Sequence, residues 1–295
     1  MNQTITRGRD ETMTTARHEL PRPAGTARAE RTWTGLSDAL RAEWTKLRTV
    51  PGTAWILALA CVLTVGVGAA TAAATRCGAG PGCAIDPTKV SLTGIQAGQA
   101  VVAVLAVLVI SGEYGTRMIA VTFIAMPRRW MVLAAKAALL TSLVLVAAVV
   151  AVAGSLAAGR LLMDGNGITA AHGYAAVSLA YGPTVRAAVG SVLYLALAGL
   201  LSLGIATIVR DPAAATGAVL GILYVPPLAA LFLGSDRAWQ HWVERYTPTN
   251  AGLAILNTTG LHDLVVSPWV GLGVLAAWAA AALLAAGVLL RVRDA

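Results

Sequence analysis

The sequence predicts an all-helical polytopic membrane protein with six transmembrane helices and both termini in the cytoplasm. Three observations predict it. Of 295 residues, 57% are hydrophobic and only 12% charged, with a mean hydropathy of +0.71, where a soluble domain carries about a quarter charged residues. The apolar residues fall in runs too long for one soluble core to hide. The positive charges between those runs alternate in density, as cytoplasmic and exterior loops do.

The chain begins with a polar stretch, residues 1–35, holding Arg7, Arg9, Arg17, Arg22, Arg28 and Arg31 among Thr, Pro and acids. No apolar run lies within it, so it reads as a disordered basic cytoplasmic tail without a cleavable signal sequence. The remaining chain, 36–295, forms one membrane domain. Leu36, Leu40, Trp44 and Leu47 recur at spacings of four, four and three, with Asp38, Arg41, Lys46 and Arg48 mostly facing away. This predicts an amphipathic helix lying on the inner membrane surface, capped by Ser37 or Asp38 and ended by Pro51, with Trp44 at the headgroup level. A simple lipid anchor and an elbow that also touches a cytoplasmic partner both fit the pattern.

A helix needs about 20 apolar residues to cross roughly 30 Å of hydrocarbon. Six segments qualify, over about 54–75, 91–110, 137–158, 187–209, 213–233 and 269–290. Without the alternating pattern of barrel strands, they must be helices. The second reaches sufficient length only by starting at Ser91, which places Gln96 and Gln99 near the outer surface. Connections on one side carry sixteen Lys or Arg and those on the other carry six, so the richer side is cytoplasmic. In the first exterior loop Cys77 and Cys83 stand within CGAGPGC, where oxidising surroundings and a glycine-rich turn are compatible with a structural disulfide. Cys61, inside the first span, reads as a packing residue.

Between the second and third spans, SGEYGTRMIAVTFIAMPRRW carries Gly112 and Gly115, which are expected to break the span. A short helix over 116–125 follows, then Pro127, Arg128 and Arg129. It reads either as a rigid projection able to pass force to the spans or as an ordinary loop. In the fifth span Gly217 and Gly221 form a GxxxG pair, a spacing also common by chance in Gly- and Ala-rich helices. Pro226 and Pro227 predict a bend in the same helix.

The function classes narrow by chemistry. A net charge of +8 distributed beside membrane spans sets topology and does not point to nucleic acid. The spans carry no ionisable group in their central parts, which disfavours ion-coupled transport. His18, His172, His241 and His262 are scattered, with no metal-ligand spacing, no nucleophile elbow and no phosphate-binding loop. The expectation is a chain that is not an enzyme, binds no metal or cofactor itself, and draws energy from elsewhere. A secondary transporter or channel, a membrane enzyme and a scaffold are the alternatives.

RAEWTKLRT before the first span, GEYGTRM and MPRRWMVLAAK flanking the second connection, the VRDP turn after the fourth span and the ending VLLRVRDA together resemble a bacterial ABC-2 type permease. The resemblance covers roughly residues 36–295. It implies an ABC-2 permease fold in the bacterial plasma membrane, forming the translocation path of an exporter. It also implies a dimer with a second permease copy beside a separate ABC ATPase subunit, which holds the ATP and Mg. By this resemblance Leu40, Trp44, Lys46 and Leu47 belong to the interfacial elbow helix. Glu113, Gly115, Thr116, Arg117, Pro127, Arg128 and Arg129 belong to the segment coupled to the ATPase. The long connection 235–267 takes the place of extracellular re-entrant helices, and Trp239, Trp242, Tyr246 and Trp269 within or beside it form an aromatic belt suited to a membrane interface.

Overall fold

A computed structural model describes residues 51–76, 85–115, 129–169, 174–175, 177–232 and 237–292. The described residues are helices and connecting turns. Helix α1 spans Pro51–Ala74 and a short α2 spans Pro87–Ser91; α3 is Ile95–Gly115, α4 Arg129–Gly165, α5 Gly182–Val209 and α6 Pro212–Phe232. Two short helices follow, α7 at Arg237–Tyr246 and α8 at Pro248–Leu253, then single 3-10 turns at Ala254–Leu256 and Leu261–Asp263, and finally α9 at Pro268–Val292. Six helical stretches are long and apolar enough to cross a bilayer, with α2 and α3 together making the second. Apolar on every side rather than along one stripe, these helices have lipid as their solvent. The chain is an integral membrane protein.

α3 and α5 form the centre. More than half of each span is buried, whereas α1, α4, α6 and α9 bury less than a third of theirs and surround the central pair. The core runs through Val102, Leu105, Leu140, Val144, Tyr194, Leu195, Leu201, Leu223 and Leu275. We call the end of the bundle holding α2, α7 and α8 the capped end and the opposite one the basal end.

Several boundaries differ from expectation. Gly112 does not break the second span, since α3 continues to Gly115; one glycine costs a helix only about 1 kcal/mol, which the neighbouring turns outweigh. At its other end the second span does not start at Ser91 as one helix. Asp86 caps α2, accepting from the Lys89 N–H at 3.0 Å, and a turn at 92–94 leads into α3. This turn is wedged between α1 and α4 at backbone contact. A Cβ at Gly94 would overlap the Thr64 carbonyl oxygen, and one at Gly159 would overlap the Ser91 hydroxyl.

α4 has 37 residues, about 55 Å at 1.5 Å each. It starts eight residues before the expected span and ends seven after it, because Ala, Met and Leu near its ends sustain the helix beyond the apolar run. Lys136, read from sequence as part of a loop, therefore lies on the helix and is buried at 3% exposure. Likewise α5 begins at Gly182, so Arg186 is a helix residue.

The VRDP segment is a tight helix-to-helix turn. Arg210 ends α5 in the left-handed region at φ 64°, Asp211 accepts from the Ala214 N–H at 2.7 Å, and Pro212 opens α6, where its missing N–H costs no hydrogen bond. α6 remains helical through Pro226 and Pro227, although neither can donate to the carbonyls of Ile222 and Leu223. Gly217 and Gly221 have open space where a Cβ would stand, so this GxxxG pair brings no helix of the described chain close.

Candidate functional site: a polar seam at the capped end

The connection between α6 and α9 folds into the bundle. α7 displays Trp239, Trp242 and Tyr246 at helical spacing on its exposed side, with Trp239 and Trp242 stacked at 5.5 Å, while Val243 points inward and is fully buried. Such a helix suits an interface, apolar rings on one side and Gln240, Glu244 and Arg245 elsewhere. Trp278 of α9 donates its indole N–H to the Tyr246 carbonyl at 3.0 Å, fixing the end of α7. Trp269 is exposed at the start of α9.

α8 then enters the bundle. Pro248, Thr249, Ala251 and Gly252 are buried. A Cβ at Gly271 would overlap the Ala251 carbonyl oxygen, and one at Gly252 would come within 2.7 Å of the Tyr194 ring. Two glycines thus let α8 lie against α9 and α5.

A chain of buried polar side chains joins α8 to the two central spans. Tyr194 of α5 donates its hydroxyl to Gln99 Oε1, and Gln99 Nε2 of α3 donates to Thr249 Oγ1 at 3.3 Å. Tyr194 and Gln99 are fully buried. In an apolar bundle each unpaired polar atom would cost more than it does in water, so this arrangement selects one seating of α8. Gln99 is at the expected end of its span, but it faces the protein interior; Gln96, one turn earlier, is exposed, and its carbonyl accepts the Tyr224 hydroxyl of α6.

A second set of bonds clamps the loop after α8. Besides capping α2, Asp86 accepts from the Thr258 N–H, from the Thr258 hydroxyl at 2.7 Å and from the Thr259 N–H at 3.1 Å. Arg186 Nη2 donates to the Asn257 carbonyl, and the Thr88 and Thr184 hydroxyls bond at 3.1 Å. On the other flank Asn166 Nδ2 donates to the carbonyls of Ala72, Ala73 and Thr75, at 3.2–3.3 Å, closing the C-terminus of α1 with the end of α4. Above the seam lies a polar cleft of about 410 Å³, lined by Lys89, Gln96, Glu244, Asn250, Asn257 and Asp263 among others. It is large enough for a small solute and presents charges of both signs.

The sequence-derived site residues fall largely elsewhere. Leu40, Trp44, Lys46 and Leu47 lie outside the described residues, as do Thr116, Arg117, Pro127, Arg128, Cys77 and Cys83. Glu113 and Gly115 are on the last turn of α3 and Arg129 is the first residue of α4, both at the basal end, with their side chains outside the described set. Cys61 is half-buried and directs its thiol to the Ala147 carbonyl at 3.3 Å, a packing role. His241 and His262 are exposed, and among the described residues no three of His, Cys, Asp and Glu converge. The Gln99, Tyr194 and Thr249 chain was not anticipated. Its signal was a glutamine and a tyrosine within apolar runs, which by spacing alone are unrelated.

Fold and seam together define an integral membrane protein with, among the described residues, six helices long enough to span a bilayer, whose long connection before the last of them is seated in the bundle by buried polar bonds. No family model matches the chain, and no curated protein matches it.

Proposed function

We propose that the chain is the membrane subunit of an ATP-driven exporter of the ABC-2 type, forming the substrate path and taking its energy from a separate ATPase subunit that binds ATP and Mg. The observation that carries this reading is the extension of α3 and α4 at the basal end. α4 runs eight residues, about 12 Å, beyond the apolar run that starts at Ala137, and α3 continues to Gly115. The segment 116–128 is therefore mounted on two stiff helices, and a partner gripping Glu113, Arg117, Arg128 and Arg129 has levers reaching the bundle centre. α3 carries Gln99, so displacement at the basal end reaches the seat of α8 through one continuous helix. Alternation between inward and outward exposure needs such a linkage.

In this reading the basal end faces the cytoplasm of a bacterial cell, in keeping with its excess of positive charge, and the polar cleft at the capped end opens outward. The largely exposed α1 and α6 provide faces for a second permease copy, and lipid covers the rest. Co-expression with a candidate ATPase tests the proposal: the two should co-purify, and Arg128→Glu with Arg129→Glu should abolish transport while leaving ATP hydrolysis running. Transport by the purified chain alone in vesicles, following a proton or sodium gradient without nucleotide, would replace this reading with secondary transport.

A further inference from the structure

Away from the seam, α4, α5 and the residues just before α5 border an apolar groove of about 440 Å³ on the exposed side of the bundle. The buried Val152 and Leu156 with Ala188 make its floor, and the exposed Val149, Ala153, Ala157 and Val189 stand along its rim. From Val149 to Arg160, the α4 residues that line it, the helix rises about 17 Å. One leaflet of hydrocarbon is about 15 Å deep. The groove therefore has the length of one acyl chain, from mid-bilayer to headgroup.

Its upper end is charged in a definite order. Arg160 closes the groove where the apolar run of α4 stops, and Asp164 stands one turn further out, about 6 Å along the same face. Both are exposed, and among the described residues neither side chain has a hydrogen-bond or ion-pair partner. Going outward, the protein offers apolar wall, then a cation, then an anion. A zwitterionic phospholipid presents acyl chain, then phosphate, then ammonium, which is the complementary order.

We propose that this groove is a binding site for one phosphatidylethanolamine molecule, with an acyl chain between α4 and α5, the phosphate on Arg160 and the primary ammonium on Asp164. Guanidinium pairs with phosphate through charge-assisted bonds. A primary ammonium has N–H donors for a carboxylate, which the quaternary ammonium of a choline headgroup lacks. A glycerol headgroup brings no cation for Asp164. The site is independent of the exporter reading, since it requires only that the chain be embedded in lipid.

The experiment uses the full chain in nanodiscs containing equal parts of phosphatidylethanolamine, phosphatidylcholine and phosphatidylglycerol. Each lipid in turn carries a photoactivatable acyl chain, and cross-links are mapped by peptide mass spectrometry. The ethanolamine probe should label 149–157 and 188–192 about tenfold more than the other two, a difference of roughly 1.4 kcal/mol. The charge-swapped variant, Arg160→Asp with Asp164→Arg, keeps net charge but reverses the order and should remove that preference. Both positions are exposed, so the fold should tolerate the swap. Ala153→Phe, which projects a ring across the groove from its rim, should suppress labelling by every probe and provides an arm that does not depend on the charges. Equal labelling by the three headgroups, or an ethanolamine preference that survives the swap, would overturn the proposal.

Discussion

Tyr194→Phe removes a single oxygen from the middle of the bundle and should cost far more than its volume suggests. That hydroxyl donates to Gln99 Oε1, and both residues are fully buried, so the substitution leaves a carboxamide oxygen without water or partner. An orphaned buried acceptor costs about 1–3 kcal/mol. Side-chain hydrogen bonds between membrane helices have measured about 0.6 kcal/mol on average and up to about 1.7, the smaller values reflecting partners found in the unfolded state. Complete burial of both partners places this bond near the upper figure, about 1.5 kcal/mol. Gln99→Leu should cost more, because it removes the Gln99 acceptor of the Tyr194 hydroxyl and also deprives Thr249 Oγ1 of its 3.3 Å donor. The double variant should cost about 1–2 kcal/mol less than the sum of the two, since replacing both partners by apolar groups leaves neither end of this bond unpaired. Reversible unfolding in mixed micelles, followed by tryptophan fluorescence, gives all four corners of the cycle. Additivity within about 0.5 kcal/mol would refute the claim that this bond ties α5 to the glutamine that holds α8.

Two further perturbations probe the same architecture. Asp86→Ala removes the acceptor of four bonds, three of them from Thr258 and Thr259. Amide hydrogen exchange at those two residues should accelerate at least about tenfold, while exchange in the centres of α3 and α5 stays unchanged. Gly94→Ala forces a Cβ onto the Thr64 carbonyl, whereas Gly217→Ala enters open space. The first should destabilise by more than about 2 kcal/mol and the second should be neutral to slightly stabilising, read as the yield of monodisperse protein on fluorescence-detected size exclusion.

The extent to which the sequence was legible follows the range of the forces involved. Spans could be located because hydrocarbon demands an unbroken apolar run, a local requirement; the sixth, expected at 269–290, is the helix Pro268–Val292. Boundaries were missed where the helix outlasts its apolar run, as in α4, since neither Arg129 nor Arg160 opposes helix formation. Gly112 does not break α3, because its local cost is small against propagation of the existing helix. The aromatic residues Trp239, Trp242 and Tyr246 were visible in the sequence as a cluster suited to an interface, and the structure puts them on the exposed side of one helix. The burial of α8 carried no such pattern; it depends on Gly252 and Gly271 meeting elements that are distant in sequence.

The amino-acid sequence by itself determined that this chain lives in a membrane, which six of its runs are long and apolar enough to cross one, and which of its connections are rich in positive charge, because each of these depends on neighbours along the chain and on the solvent around it. Only the tertiary structure decided that Gln99, Tyr194 and Thr249 form one hydrogen-bonded chain, that Asp86 holds both a helix end and a loop 172 residues away, and that Arg160 stands at the mouth of an apolar groove. Those relations exist because helices pack side by side, and the contacts that packing creates have no counterpart in the order of residues.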